Sequence, residues 1–384
     1  MSRVKFGDVV KEVKVNINRA QNPYEFYVAG DHMDYEDLTI RRKGQFATDD
    51  VGPAFTRLFK SGQILYGSRR TYLKKVAVAD FEGICANTTF VFESKDNSTL
   101  DQRLLSFIML SDAFTEWSVS RSRGSTNPYV LFSDLADFEF ELPSIEEQRE
   151  LADKLWAAYR LKEAYKKLIA ATDELVKSRF IEMFGPTDTN SKGWPMMSLK
   201  EASVLLSDGP FGSNLKSEHY KPNGVRVIRL QNICQGYFDD RDKAFVSEEH
   251  YKKLIKYTCK PGEIVVGTLG EPNLRACTIP EYIPISINKA DCVHLIPKKE
   301  LLNTTFTCEY INCEITLHMA TADIHGTTRA RIAAGQLTKL PIYLPPMELQ
   351  LQFEKIYFQA DKSKFELRKS IDAIDAVIKS LINN

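Results

Sequence analysis

The heptapeptide Leu142–Gln148, LPSIEEQ, recurs as Leu344–Gln350, LPPMELQ, and the long segment that follows each copy decides the fold. The two copies are offset by 202 residues (344 − 142 = 202). The same offset holds without a gap along both following segments, where Lys162 matches Lys364, for example. A match of this length predicts that a whole structural unit is duplicated within the chain.

The repeat also extends upstream of the Leu-Pro motif. Gly124–Thr126 (GST) falls on Gly326–Thr328 (GTT) at the same offset, and Gly62–Gly67 (GQILYG) matches Gly262–Gly267 (GEIVVG) at an offset of 200. Small loop insertions account for the slippage. We therefore expect two globular domains, each followed by a long helix, with these boundaries: domains at 1–141 and 186–343, helices at 142–185 and 344–384.

Both segments after the Leu-Pro motif are predicted to be helical. No Gly or Pro interrupts Ile145–Phe184 or Met347–Asn384, and good helix formers dominate both. Apolar or small residues recur at spacings of three and four, as in a coiled coil, and this stripe includes Leu168, Leu175 and Val377. Pairing of the two helices is favoured over each helix packing lengthwise on its own globular domain.

The globular segments are predicted to mix α and β structure. Short apolar runs bounded by turn residues indicate strands, and two longer runs indicate helices. The predicted strands are Ile64–Tyr66, Val76–Ala79, Phe90–Phe92, Val225–Leu230, Glu263–Val266 and Val293–Ile296, and the predicted short helices are Leu100–Asp112 and Leu301–Met319. The expected fold class is α+β, with two globular domains separated by two long helices.

Composition and motifs exclude several functions. Lys+Arg and Asp+Glu both number 51, so net charge does not indicate a nucleic-acid partner. No apolar run reaches the roughly 18 residues of a membrane span, and the seven cysteines form no CxxC pair, which argues against zinc. The chain lacks a phosphate-binding GxxxxGK[ST] loop, a GxSxG elbow and an HExxH motif. Asn127-Pro128-Tyr129 resembles an amino-methyltransferase motif without one of its prolines, and a plain turn explains it better.

Local clusters of basic and small polar residues recur in loops of both halves. Lys and Arg neutralise phosphates, while Arg and Asn can form paired hydrogen bonds with purine edges. Each cluster alone is typical of a solvated surface, but the recurrence at corresponding places favours DNA contact. The candidate DNA-binding residues are Arg41, Arg42, Lys43, Arg69, Arg70, Tyr72, Lys74, Arg121, Arg123, Ser125, Thr126, Asn127, Ser213, Asn214, Lys216, Arg226, Arg229, Asn232, Arg275, Thr327, Thr328, Arg329 and Arg331.

These features together resemble the specificity subunits of Type I restriction–modification systems. The resemblance rests on the duplicated Leu-Pro-x-x-Glu-x-Gln helix start, on Asp208–Lys216 (DGPFGSNLK), on Gly62–Leu65 leading to Tyr72–Val76, and on the Gly-[Ser/Thr]-Thr segment before each Leu-Pro. It covers nearly the whole chain, and the order and duplication of the motifs are more specific than any one of them.

The resemblance implies a DNA-recognition subunit without catalysis of its own. In such a protein two target recognition domains each read one half of a split, asymmetric DNA sequence, and two antiparallel helices set the spacing. The implied partners are double-stranded DNA, two modification subunits and restriction subunits. The implied cofactors belong to those partners: S-adenosylmethionine to the modification subunit, and ATP and magnesium to the restriction subunit. The implied location is the cytoplasm of a bacterium or archaeon, with no membrane partner.

Two other classes stay open at this point. One is a stand-alone enzyme, such as a fused methyltransferase or nuclease, and the other is a coiled-coil scaffold that binds only proteins. The first predicts methyl transfer or cleavage by the chain alone, and the second predicts no salt-dependent DNA binding.

Overall fold

A computed structural model of the chain describes residues 2–18, 21–321 and 331–383, and the chain divides into two compact units. Unit 1 comprises Met1–Lys167 with Leu367–Asn384, and unit 2 comprises Leu168–Glu366. Each unit therefore contains one globular segment together with part of each long helix.

Among its described residues, unit 1 has ten short strands and four short α-helices before the first long helix. The strands are β1 (Ser2–Lys5), β2 (Val10–Glu12), β3 (Phe26–Val28), β4 (Gly44–Gln45), β5 (Phe55–Phe59), β6 (Ile64–Gly67), β7 (Val76–Val78), β8 (Gly83–Ala86), β9 (Thr89–Ser94) and β10 (Glu139–Leu142). The helices are α1 (Phe6–Val9), α2 (Gln102–Leu110), α3 (Asp112–Ser120), α4 (Phe132–Ala136) and the long α5 (Ile145–Phe184).

Unit 2 repeats the order of the strands with one strand added. Its strands are β11 (Met196–Ser198), β12 (Ser203–Ser207), β13 (Tyr220–Lys221), β14 (Val225–Ile228), β15 (Ala244–Val246), β16 (Thr258–Cys259), β17 (Ile264–Gly267), β18 (Arg275–Thr278), β19 (Ser286–Asn288), β20 (Cys292–Pro297) and β21 (Pro341–Tyr343). Its helices are α6 (Glu248–Lys253), α7 (Thr304–Asn312), α8 (Glu314–Thr321), α9 (Ala334–Lys339) and the long α10 (Met347–Asn383).

Sheet topology shows the duplication most directly. Unit 1 has a four-stranded sheet of order β2-β9-β6-β7, and unit 2 has the matching order β12-β20-β17-β18. A second sheet runs β4-β3-β8-β5 in unit 1 and β13-β15-β14-β19-β16 in unit 2, with β13 as the additional strand. The only parallel pairs between named strands, β3 with β8 and β14 with β19, occupy matching places among the described residues. The predicted α+β class and internal repeat are confirmed.

The Leu-Pro motif has a structural meaning in each copy, because its glutamine fastens the start of the long helix to the globular core. Gln148 is buried, accepts a hydrogen bond from the Asp101 N–H (3.0 Å) and donates to the carbonyls of Thr99 (3.0 Å) and Pro143 (2.9 Å). In the first copy, Ser144 and Glu147 also form a reciprocal capping box.

Gln350 makes the same three contacts in unit 2. It accepts from the Asn303 N–H (2.7 Å) and donates to the carbonyls of Leu301 (3.0 Å) and Pro345 (2.8 Å). Glutamine can satisfy one donor and two acceptors at once, since its amide carries both functions. The recurrence of glutamine at this position of the motif therefore follows from the fold.

Within unit 1, the two long helices share one core. Leu155 and Tyr159 of α5 and Ile378 of α10 are buried in a single cluster with the globular segment. Lys162 Nζ lies 2.5 Å from the Asp375 carboxylate, which joins the two helices at their surface.

Within unit 2, aromatic rings join the helices. Phe180 and Phe184 of α5 pack on Phe353 of α10, with ring centroids 5.4 and 5.6 Å apart. Lys364 Nζ lies 2.8 Å from the Asp173 carboxylate. The contacts thus run from Asp173 to Phe184 along α5 and from Lys364 back to Phe353 along α10, so these two segments are antiparallel. Both ion pairs obey the 202-residue repeat, and the predicted helix pairing is confirmed.

Two of the expected helices differ from the structure. The run Leu100–Asp112 forms α2 and leads into a second helix, α3, because Ser111 caps α3 by accepting the Phe114 N–H (3.2 Å). The run Leu301–Met319 is divided into α7 and α8, since Cys313 has extended geometry between them.

The predicted apolar stripe is wrong at Leu168, Leu175 and Val377, which are exposed. The buried face of α5 instead includes Val176 and Phe180, because this part of the helix packs on the globular core as well as on α10. Both packing alternatives considered from the sequence therefore occur together.

Candidate nucleic-acid interface

In unit 1 the structure brings two of the predicted clusters together. The loop after β6 pairs with the segment before α4: the Arg70 N–H donates to the Pro128 carbonyl (2.7 Å), and the Val130 N–H donates to the Ser68 carbonyl (3.0 Å). We call residues 68–72 and 121–131 the unit 1 loop surface. Its exposed candidates are Arg69, Arg70, Tyr72, Arg121, Arg123, Ser125, Thr126 and Asn127.

Two arginines of this surface are held by neighbours. The Arg123 guanidinium donates to both oxygens of Asp134 (2.8 and 3.1 Å), and the Arg121 guanidinium lies 4.5 Å from the Trp117 ring centroid. Tyr129, which was absent from the candidate residues, is exposed on the same surface. Arginines beside exposed aromatic side chains suit both phosphate neutralisation and base contact.

Arg41 and Lys74 lie within ion-pair networks of unit 1. Arg41 donates to Asp37 (2.9 Å) and to Glu163 of α5 (2.5 Å). Lys74 Nζ bonds with Asp112 (2.8 Å) and lies 3.2 Å from Glu36. These contacts hold loops of unit 1 in place.

Asp37 is the centre of the first of these networks. Burial alone would raise the pKa of its carboxyl. Hydrogen bonds from the Tyr159 hydroxyl (2.5 Å), the Thr39 N–H (2.9 Å), Arg41 and Lys166 outweigh that effect and lower the pKa to about 2. The segment that follows β3 is thereby fastened to α5 by a charged, satisfied network.

The neighbours of Arg41 have other partners. Arg42 forms an ion pair with Asp34, and the Lys43 ammonium lies 3.3 Å from the Phe26 ring centroid. Both side chains stay exposed. They therefore remain available to a ligand, although each already has an electrostatic partner.

In unit 2, four candidates stabilise the segment that follows β14. Arg226, only 6% exposed, donates to Asp240 (2.7 Å) and to the Asp242 carbonyl (2.7 Å), and Arg229 pairs with Asp242. Asn232 is buried and donates to two backbone carbonyls. Arg275 donates to four backbone carbonyls, at Ile233, Leu269, Pro272 and Leu230. These side chains shape the loops.

The remaining described candidates of unit 2 lie on an exposed turn. Ser213, Asn214 and Lys216 are exposed, and the Asn214 carbonyl contacts His250 Nε2 (2.9 Å). Arg331 lies beside this turn, with its guanidinium 5.5 Å from the Phe211 ring centroid. We call residues 208–216 with Arg331 the unit 2 loop surface. Thr327, Thr328 and Arg329 lie outside the described residues.

Acidic groups underlie the unit 2 loop surface. Arg331 Nε lies 2.5 Å from Asp291 Oδ1, and Arg331 Nη2 lies 3.8 Å from Asp208 Oδ2. Asp208 Oδ1 accepts the N–H groups of Gly209 (2.7 Å) and Asp291 (2.9 Å). Burial raises the pKa of the Asp208 carboxyl above its ordinary value, against these N–H groups, which favour the ionised form.

Within residues 2–18, 21–321 and 331–383, no group of three or more His, Cys, Asp or Glu side chains is arranged to hold a metal ion. Over the same residues, no helix is long and apolar enough to cross a membrane.

Comparison with known proteins gives these surfaces a family context. Residues 31–171 match the family model described as the Type I restriction modification DNA specificity domain. The Type I restriction enzyme EcoDI specificity subunit of Escherichia coli is 28% identical over 134 residues, which is 35% of this chain and 29% of that subunit. The MjaVIII specificity subunit of Methanocaldococcus jannaschii is 22% identical over 303 residues, 76% of this chain and 68% of that subunit.

Two solved structures share the fold over nearly all of the chain. One is a chain from a study of complex assembly and conformational transition in a type I restriction–modification system, with a TM-score of 0.55, 18% identity, and coverage of 99% of this chain and 96% of that one. The other is the S subunit from M. genitalium, with a TM-score of 0.54, 16% identity, and coverage of 99% and 94%. Residues 31–171 are thus similar to the Type I restriction modification DNA specificity domain, and the chain as a whole shares the fold of the two solved structures.

Proposed function

We propose that this chain is the DNA sequence-specificity subunit of a Type I restriction–modification complex and catalyses no reaction itself. Its target recognition domains, residues 1–141 and 186–343, each read one half of a bipartite, asymmetric DNA sequence. The observation that carries the proposal is the duplicated frame with unlike exposed loops. Matching sheets position the two loop surfaces. The residues of unit 2 at the positions equivalent to Arg69 and Arg70 are Leu269 and Gly270.

The chemistry of the loop surfaces supports DNA as the ligand. Exposed arginines and small polar side chains gather at residues 68–72 and 121–131, although the whole chain has no net charge. A local positive surface on a neutral protein favours a polyanion at that place alone. Phosphate contacts provide affinity, and contacts with base edges provide sequence preference.

The helical segments, residues 142–185 and 344–384, would set the spacer between the half-sites. The 40-residue α5 is about 60 Å long at about 1.5 Å per residue. Half-sites read from one face of B-DNA lie about 34–36 Å apart or a multiple of that distance. The length of the helices is therefore sufficient to determine which spacing is recognised.

The same helices would dock the two modification subunits. In unit 2, Leu351, Phe358 and Phe365 are exposed at seven-residue intervals along α10, which gives one apolar stripe. Exposed apolar stripes of this kind are typical of protein-binding surfaces. The modification subunits would supply S-adenosylmethionine chemistry, and restriction subunits would supply ATP- and magnesium-dependent cleavage.

DNA binding by the chain assembled with its methyltransferase partner tests the proposal. We expect one bipartite sequence to bind at least about a hundredfold more tightly than unrelated duplexes at physiological salt, because specific DNA-binding proteins prefer their own site by about 10³–10⁷-fold. Equal affinity for all duplexes would contradict the proposal. Methyl transfer from labelled S-adenosylmethionine by the chain alone would favour the enzyme alternative instead.

The spacer is tested by lengthening both helices together. Four residues inserted after Lys167 and four after Lys369, which are equivalent in the repeat, add about one turn to each helix and keep their pairing in register. We expect a longer spacer with both half-sites unchanged. The control inserts four residues in the linker Thr187–Gly193 and should leave the spacer as it is. Altered half-sites would contradict the division of labour.

A further inference from the structure

Tyr129 of unit 1 and Arg331 of unit 2 occupy the same place in the repeated frame. The Val130 N–H donates to the Ser68 carbonyl, and the Ile332 N–H donates to the Thr268 carbonyl, both at 3.0 Å. The residue before each donor also forms the same isolated backbone bridge, Arg69 with Tyr129 and Leu269 with Arg331. Tyr129 is 42% exposed, and the Arg331 side chain is 46% exposed.

The two side chains differ in the number of carboxylates around them. Arg331 is placed between Asp291 and Asp208. The position equivalent to Asp291 is Thr88, because the carbonyls of these two residues accept the N–H groups of Thr268 and Ser68 respectively. The strand registers make Lys14 the equivalent of Asp208. Both carboxylates are therefore present only where the arginine is present.

The loop that contacts Arg331 packs closely against the backbone of Lys289 at Gly209. A Cβ atom on Gly209 would lie 2.3 Å from the carbonyl carbon and oxygen of Lys289, so the chain can pass this point only as glycine. Two residues further along this loop, Phe211 presents a ring that is 49% exposed, with its centroid 5.5 Å from the Arg331 guanidinium. The Arg331 guanidinium therefore has two kinds of partner, the carboxylates of Asp208 and Asp291 and the aromatic ring of Phe211.

This arrangement disfavours a phosphate ligand. Two carboxylates surround one guanidinium, and a phosphate would bring a further negative charge to the same place. A guanine edge carries two neutral acceptors, O6 and N7, which match the forked donors of arginine. Since carboxylates also fix the direction of the guanidinium, little side-chain entropy is lost when it contacts a base.

We propose that Arg331, positioned by Asp208 and Asp291 and stacked on Phe211, reads a guanine in the half-site bound by unit 2. Tyr129 occupies the equivalent place in unit 1 and makes the corresponding contact with a different base, so this position is one at which the half-sites differ. The proposal rests on the proposed function, since it assumes that each unit reads one half-site.

The test uses the full chain assembled with its methyltransferase partner and duplexes in which each base pair of the target is replaced in turn. Arg331→Gln should lower discrimination at one guanine of the second half-site by about tenfold to a hundredfold. Discrimination throughout the first half-site should be unchanged, which also shows that the variant is folded. Asp291→Asn, which loosens the arginine, should reduce discrimination at the same guanine by a smaller factor.

The salt dependence separates base contact from phosphate contact. The slope of log affinity against log salt should be the same for Arg331→Gln and the wild-type chain, whereas loss of a phosphate contact reduces it by about one. Arg241→Gln is the matched control, because Arg241 is exposed in unit 2 and pairs only locally with Asp239. It should leave discrimination at every base unchanged.

The failures of the two proposals can be told apart. If the wild-type complex prefers no bipartite sequence, the proposed function fails. If the wild-type complex has such a preference but Arg331→Gln keeps every preference of the second half-site, the inference about Arg331 is wrong. Uniform weakening on all sequences with a reduced salt slope would also overturn it, because that outcome identifies a phosphate contact.

Discussion

Replacing Gln148 with leucine removes three hydrogen bonds at the start of α5 while keeping a side chain of similar size. Gln148 is 1% exposed, so water cannot replace the lost partners of the Asp101 N–H and the Thr99 and Pro143 carbonyls. Each buried backbone group without a partner costs about 1–3 kcal/mol, and some relaxation is expected. We therefore expect the free energy of unfolding to fall by about 2–4 kcal/mol.

Urea denaturation measures the loss, and amide hydrogen exchange locates it. The Asp101 N–H should lose protection in Gln148→Leu, whereas the Asn303 N–H should lose protection in Gln350→Leu, because each glutamine accepts from one of these groups. Gln352→Leu is the matched control, since Gln352 is exposed on α10, and it should change stability by less than about 0.5 kcal/mol. A loss below about 0.5 kcal/mol for Gln148→Leu would refute the role assigned to the motif.

Three further outcomes follow from the charges and thiols. The pKa of Asp37 falls from 3.8 to about 2 on folding, so its stabilisation of about 2 kcal/mol is fully present above about pH 4 and is lost as the pH falls from about 4 to about 2. Asp37→Asn should lack this part of the acid dependence of urea unfolding. A double-mutant cycle on Lys364 and Asp173 should give a coupling of about 0.5–1 kcal/mol, and zero coupling would show that the ion pair does not stabilise the helix pairing. Iodoacetamide should label Cys234 and Cys313 of the native protein first, as measured by mass spectrometry. The other five thiols are buried, and equal labelling of all seven would contradict that burial: Cys85, Cys259, Cys277, Cys292 and Cys308.

Local signals were sufficient to predict the repeated helices. No Gly or Pro interrupts Ile145–Phe184, and the structure gives α5 those bounds, within the predicted segment 142–185. The strand at Ile64 and its equivalent at Ile264 were also found from short apolar runs bounded by glycine. These features depend only on residues that are close together in the sequence.

The candidate interface was harder to predict because an arginine looks the same whether its partner is DNA or a distant carboxylate. Arg41 contacts Glu163 across 122 positions, and Arg275 donates to carbonyls up to 45 positions away. Only the fold brings such partners together. Tyr129 could have been found, since the 202-residue offset aligns it with the candidate Arg331.

The base sequence selected by the assembled complex tests the central claim most directly. A random duplex library is incubated with the chain and the proposed methyltransferase partner, and the methylated molecules are sequenced. Two different defined words, separated by an undefined spacer of fixed length, are expected, because the two loop surfaces share a frame and differ in their exposed side chains. A single uninterrupted word, two identical words or a variable spacer would contradict the account.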